Sequence, residues 1–111
     1  MADILAQLEH TIAERRGADP STSYVAKLFA AGRPKIAQKV GEEAVETVIA
    51  ALGGNPAKLV SESADLVFHL AVLLAEQGLS FKDVLAEIAS REGVSGIAEK
   101  ATRPTRPIAG T

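Results

Sequence analysis

Between Pro56 and Gln77 thirteen of the twenty residues are apolar, and the charged side chains that interrupt the run recur at helical spacing. With Glu62 at zero on a helical wheel, Lys58, Asp65, His69 and Glu76 all fall within about 60° of it. Leu66, Leu70, Leu73, Leu74, Val67, Phe68, Ala71, Val72 and Ala75 take the rest of the circumference. A surface helix has a broad polar face, whereas one that is apolar nearly all round is buried on most sides. Other helices, or a second copy of the chain, must therefore cover this segment. Its carboxylates, Glu62 and Asp65, face something other than open water. An unpaired buried carboxylate costs several kcal/mol, so a lysine, a donor network or a metal has to meet them. Lys58, four residues before Glu62, is one such partner.

The rest of the chain is divided by glycine, proline and capping residues, with no strand-like alternation between them. An all-α domain of about five helices is expected. The spacing predicts helices over 3–16, 22–31, 34–53 and 56–77, followed by one opened by Ser80-x-x-Asp83 and closed by Gly93. Residues 94 to 100 are read as one more turn. With 111 residues and 47% hydrophobic content, one domain over 1–102 is expected, and 103–111, with two Arg-Pro pairs, reads as an extended or disordered tail.

A second acidic group, Glu42-Glu43-x-x-Glu46, lies on the preceding helix. There Lys35, Lys39, Glu42, Glu43 and Glu46 share an arc of about 100°. Val40, Ala44, Val45, Val48 and Leu52 lie opposite. Taken alone, that helix is an amphipathic element with a solvated charged face. If its acidic face meets that of 56–77, four or five carboxylates repel in one place, and divalent cations hold them all ionised. The chain has no cysteine and two histidines, His10 and His69, so the ligands must be oxygens. Mg²⁺ suits such a site, because it keeps several waters and is completed by substrate phosphates. Lys35 and Lys39 then meet phosphate oxygens. The pattern suggests a metal-dependent site for a polyphosphorylated substrate.

Net charge is −2, from 12 basic and 14 acidic residues, which gives no electrostatic footprint for nucleic acid. The amino-terminal residues are unlike a signal peptide, and no apolar run approaches membrane-spanning length. A soluble cytoplasmic protein with neither nucleic-acid nor membrane partners is expected.

The spacing Glu42-Glu43-x-x-Glu46, then fifteen residues, then Glu62-x-x-Asp65 resembles the signature of the all-α, MazG-like nucleoside triphosphate pyrophosphohydrolases. Within them, Ser23-Tyr24, Lys27-Leu28, Lys39-Val40-Gly41-Glu42-Glu43-Ala44, Ala64-Asp65-Leu66, His69-Leu70 and Arg91-Glu92-Gly93 are similar to the phosphoribosyl-ATP pyrophosphohydrolase family of histidine biosynthesis, over about residues 5 to 103. The resemblance implies a MazG-like helical bundle completed by homodimerisation. It also implies Mg²⁺-dependent cleavage of the α–β phosphoanhydride of 1-(5-phosphoribosyl)-ATP, giving 1-(5-phosphoribosyl)-AMP and pyrophosphate. It implies Glu43, Glu46, Glu62 and Asp65 as metal ligands, with Glu43 and Glu46 counted in the catalytic centre. Glu42 is then the carboxylate left to orient or deprotonate water, although Glu42 and Glu43 could exchange roles.

Lys35 and Lys39 are candidates for phosphate neutralisation, Lys27, Ser23 and Tyr24 for the extra ribose phosphate, and Arg91 for a phosphate or a helix end. His69 is expected to support the ligands by hydrogen bonding rather than to bind the metal. Val25 and Phe68 depart from the family pattern, standing where threonine and tyrosine are usual. The chain lacks the length and cysteines of a fused cyclohydrolase domain, so a stand-alone enzyme whose product passes to a separate cyclohydrolase is expected. Two other readings stay open: a general nucleotide-sanitising pyrophosphohydrolase and a non-catalytic helical dimer.

Overall fold

The computed structural model describes residues 3 to 93 and forms them into α1 (Ile4–Arg15), α2 (Tyr24–Ala31), α3 (Arg33–Leu52), α4 (Pro56–Glu76) and α5 (Phe81–Ser90). No strand occurs among the described residues. The all-α expectation therefore holds, while the turn at 94–100, the tail at 103–111 and the boundary at 102 lie outside the described residues. The chain divides into two compact units, Met1–Phe81 and Lys82–Thr111.

Local chemistry sets the helix ends. Asp3 Oδ1 accepts from the Ala6 N–H at 3.0 Å, Ser23 Oγ from Ala26 at 3.2 Å and Asn55 Oδ1 from Lys58 at 3.3 Å, so three helices begin on side-chain caps. α2 starts at Tyr24 rather than the expected Thr22, because the Thr22 and Ser23 N–H groups both bond the Asp19 carbonyl. Pro34 and Pro56 occupy first-turn positions, where a missing N–H costs nothing. Gly32 alone separates α2 from α3. Its φ of 92° is open to glycine and strained for any other residue, and its N–H closes α2 on Leu28 and Phe29. In the second unit α5 ends at Ser90, short of the expected Gly93, where Arg91 and Glu92 tighten the chain with bonds to Ile88 and Ala89 three residues back.

The core of the first unit gathers Ile12 from α1, Val25 and Leu28 from α2, Ile36 from α3, Ala71 and Val72 from α4, and Phe81. Ile12, Ile36 and Val72 are fully enclosed, and each contributes about 1.5–3 kcal/mol through burial. Arg16 sits 4.3 Å over the Phe29 ring and donates to the Ala75 carbonyl at 3.2 Å, tying the end of α1 to α2 and α4. Arg33 forms a two-pronged ion pair with Glu76, joining the start of α3 to the end of α4.

The most extensive helix pairing is α3 with α4. Three connecting residues make them antiparallel neighbours. α3 turns Ile36, Glu43 and Ala50 inward, a spacing of seven that repeats every two turns. The apolar arc that the sequence placed opposite the charges is largely not inside: Val45 is 58% exposed, Val48 58% and Leu52 84%, with Ile49 beside them at 61%. α4 is covered as expected along most of its length, although Val60 near its start is 70% exposed. The uncovered apolar surface therefore sits mainly on α3, not on α4 where the sequence reading located the surplus.

Candidate active site

The α3–α4 pairing brings the two acidic groups together. One carboxylate oxygen from each of Glu43, Glu62 and Asp65 lies within 4.8 Å of the other two. Burial grades outward across the group: Glu43 is 8% exposed, Glu62 is half-buried and Asp65 lies at the surface. The Lys58–Glu62 ion pair allowed by sequence spacing does not form among the described residues. Glu43 Oε2 is enclosed and has no hydrogen-bond partner. A buried oxygen with no donor is costly, and the Glu62 and Asp65 carboxylates come within 4.8 Å of the Glu43 carboxyl.

The electrostatics follow. The Glu43 carboxyl is pushed up to about 6, first by a hydrogen bond to Glu46 that needs a shared proton, then by burial, then by the charges of Glu46 and Asp65, with Lys39 opposing. Its sequence neighbour behaves in the opposite way. Exposed Glu42 accepts from Gln38 Nε2 at 2.8 Å and pairs with Lys39 Nζ at 3.3 Å, and these contacts hold its carboxyl below the usual range. A proton or a cation has to relieve the Glu43 group; Glu42 is already satisfied. An all-oxygen donor set with an orphaned buried oxygen fits a hard divalent cation.

The remaining expected residues surround this pair of helices unevenly. Lys39 is half-buried, and its ammonium is stabilised first by Glu42, with Glu43 adding to it. Lys35 is exposed and within electrostatic reach of Glu42. Tyr24 Oη lies 2.8 Å from His69 Nε2, and His69 Nδ1 lies 2.7 Å from the Asp65 carbonyl oxygen, so the buried histidine links α2 to the main chain of the acidic turn. Ser23 caps α2, and Lys27 is exposed one turn further on. Arg91 belongs to the second unit, where its Nε donates to Glu87 Oε2 at 2.9 Å. Sequence reasoning passed over Gln38, whose i,i+4 spacing to Glu42 was the available signal. Phe68, read as an apolar helix position and a departure from the family pattern, stacks its ring with Tyr24 at 6.0 Å between centroids. A depression of about 610 Å³ runs along α3, lined by Gly41, Glu42, Val45 and Glu46, where the acidic face meets the exposed apolar one.

Fold and site together define an all-α protein with a carboxylate cluster held between two antiparallel helices. Residues 5–92 match the phosphoribosyl-ATP pyrophosphohydrolase family, and the chain belongs to it. It is similar to the phosphoribosyl-ATP pyrophosphatase of Rhizorhabdus wittichii, with 68% identity over 94% of this chain and 98% of the relative. It also resembles the enzymes of that name from Novosphingobium aromaticivorans, 67% identical over 91% and 94% of the two chains, and Zymomonas mobilis, 63% over 92% and 95%.

Proposed function

We propose that this chain hydrolyses 1-(5-phosphoribosyl)-ATP to 1-(5-phosphoribosyl)-AMP and pyrophosphate, the second step of histidine biosynthesis. Family membership and the names of its relatives support the substrate. The observation that carries the chemistry is Glu43, buried with an unpartnered oxygen beside Glu62 and Asp65.

In this reading Glu43, Glu46, Glu62 and Asp65 hold Mg²⁺, which when bound offsets their mutual repulsion and the charge of the triphosphate. Glu42, kept ionised by Gln38 and Lys39, accepts a hydrogen bond from the attacking water and orients it towards the phosphoanhydride. Lys39 and Lys35 meet phosphate oxygens and offset the charge that accumulates as the anhydride breaks. Ser23 Oγ spends a lone pair on the Ala26 N–H and keeps its proton to donate, with Lys27, to the ribose phosphate. His69 holds the Asp65 turn from behind through the main-chain carbonyl.

The chain works as a homodimer in the cytoplasm. Val45, Val48, Ile49 and Leu52 form an apolar stripe on consecutive turns of α3, and a second copy removes it from water. No helix among the described residues is long and apolar enough to cross a membrane. The product passes to a separate cyclohydrolase.

The test is pyrophosphate release from phosphoribosyl-ATP, compared with ATP and the other nucleoside triphosphates, with Mg²⁺ and with chelator. Turnover of phosphoribosyl-ATP that chelator abolishes is expected. Faster turnover of common triphosphates would transfer the protein to nucleotide housekeeping, and no turnover of any would leave a non-catalytic helical dimer.

A further inference from the structure

Tyr24 is held more firmly than a solvent-exposed side chain requires. Its ring stacks with Phe68 at 6.0 Å between centroids and 23° between planes. Its hydroxyl lies 2.8 Å from His69 Nε2. His69 in turn is 5% exposed, packs edge-on against Phe68 at 5.0 Å, and lies with Nδ1 2.7 Å from the Asp65 carbonyl oxygen. A carbonyl only accepts, so Nδ1 carries a hydrogen, and in the neutral imidazole Nε2 is left to accept from the Tyr24 O–H. The phenol is thereby fixed in direction by a chain that starts at the acidic turn itself.

Yet Tyr24 as a residue is 48% exposed. A tyrosine placed for packing buries its ring and leaves its hydroxyl wet; this one commits its hydroxyl to a part-buried bond with His69 while the residue stays half-exposed. Through His69 its hydroxyl is tied to the Asp65 turn of α4, and its phenol lies near enough to Lys39 to interact with it. A rigid aromatic surface beside a phosphate-binding cation suits the flat, π-rich part of a nucleotide.

We propose that Tyr24, propped by Phe68 and oriented by His69, is the stacking platform for the purine base of the substrate, with His69 a positioning residue that acts through it. The proposal rests on the phosphoribosyl-ATP reading and reassigns Tyr24 from the ribose phosphate to the base. It gives the site a geometric logic: the same turn of α4 supplies Asp65 to the acidic group and, through His69, sets the ring that receives the base.

Tyr24 is the single tyrosine and there is no tryptophan, so its ring protons are a unique NMR signature. AMP added to the Mg²⁺-loaded protein is expected to move those signals upfield through the purine ring current, and inorganic pyrophosphate is not. In steady-state assays Tyr24→Leu raises KM for phosphoribosyl-ATP by about tenfold or more, the range that loss of one base–aromatic stack gives, with kcat within about threefold. Tyr24→Phe keeps the ring but loses the hydroxyl through which His69 orients it, so KM is expected to rise by less than in Tyr24→Leu, and a rise as large as that of Tyr24→Leu would overturn the role of the ring. Absence of the AMP-induced shift in the unmodified chain, or an unchanged KM in a folded Tyr24→Leu variant, overturns the platform. Failure of the unmodified protein to turn over phosphoribosyl-ATP overturns the parent reading instead, and the AMP-induced shift decides the platform separately.

Discussion

The two sides of α3 are inverted relative to an ordinary amphipathic helix. Its inner side buries a carboxylate, Glu43, among apolar neighbours and other acids, while its outer side gives Val45, Val48, Ile49 and Leu52 to solvent. Each side by itself is unfavourable: a charge lacks a donor, and an apolar stripe lacks a cover. Elsewhere in the unit Ile12 and Val72 are sealed and Arg16 is bonded to the Ala75 carbonyl, while Ile4 and Val60 are exposed singly rather than as a stripe. The defects are local, they sit back to back on one helix, and each specifies its missing partner by chemistry. The inner side calls for a cation and the outer side for an apolar surface.

The sharpest way to break this comparison is Glu43→Gln. Removing the buried charge removes the repulsion with Glu46 and Asp65, so the metal-free protein should unfold at the same temperature or higher. Hydrolysis of phosphoribosyl-ATP should fall by more than about 100-fold, the scale on which a centre stabilising phosphoryl charge is lost. Activity within tenfold of the parent, measured by pyrophosphate release, would remove Glu43 from the catalytic centre.

The outer side is tested by placing charge on it. Val48→Asp with Leu52→Asp should convert a sedimenting dimer to a single chain and weaken association by about 100-fold or more, as burying unpaired charge at the centre of an interface does. Because both side chains already face solvent in the isolated chain, far-UV circular dichroism should not change. A parent protein that sediments as one chain would end the dimer reading and leave the stripe unexplained.

The helical layout was legible in the sequence because caps are local. Asn55, Pro34 and Gly32 mark their boundaries by chemistry that acts within four residues, whereas the Ser23 cap was read through, with α2 placed from Thr22. The narrow acidic stripe of α4 was legible for the same reason, since helical period alone aligns Glu62 with Asp65. Period says which residues share a face and not which face turns inward. Valine and leucine opposite a charged arc read as core, and the inversion of α3 was therefore missed. The Tyr24–His69 bond spans 45 positions and leaves no spacing signal, and the push that favours a proton on Glu43 comes from Glu46 and from burial, the second of which spacing does not show.

A third measurement uses that proton. The Glu43 carboxyl is raised to about 6 in the folded chain from 4.5, so without metal its contribution to stability is fully present below about pH 4.5 and is lost as pH rises through about 6. A cation competes with the same proton. Thermal unfolding with and without Mg²⁺ between pH 5 and 7.5 should therefore show a stabilisation by metal that grows with pH and levels off above about 7. Metal stabilisation that is the same at pH 5 and 7 would mean that Glu43 is not among the ligands.

The smallest effect should come from the adjacent carboxylate. Glu42 owes its lowered carboxyl first to Gln38 and then to Lys39, and both contacts are exposed. Gln38→Ala removes one hydrogen bond worth about 0.5–1.5 kcal/mol and leaves Lys39 in place. Only a reduction in kcat of up to about tenfold is expected, the rate equivalent of that energy, with Mg²⁺ affinity by calorimetry unchanged. That split separates the neighbours: Glu43→Gln should reduce metal binding and rate together, and Gln38→Ala should touch the rate alone. If Gln38→Ala weakens Mg²⁺ as much as Glu43→Gln does, Glu42 is itself a ligand, and the inner and outer edges of the acidic face are one site rather than a metal centre with a water-orienting carboxylate beside it.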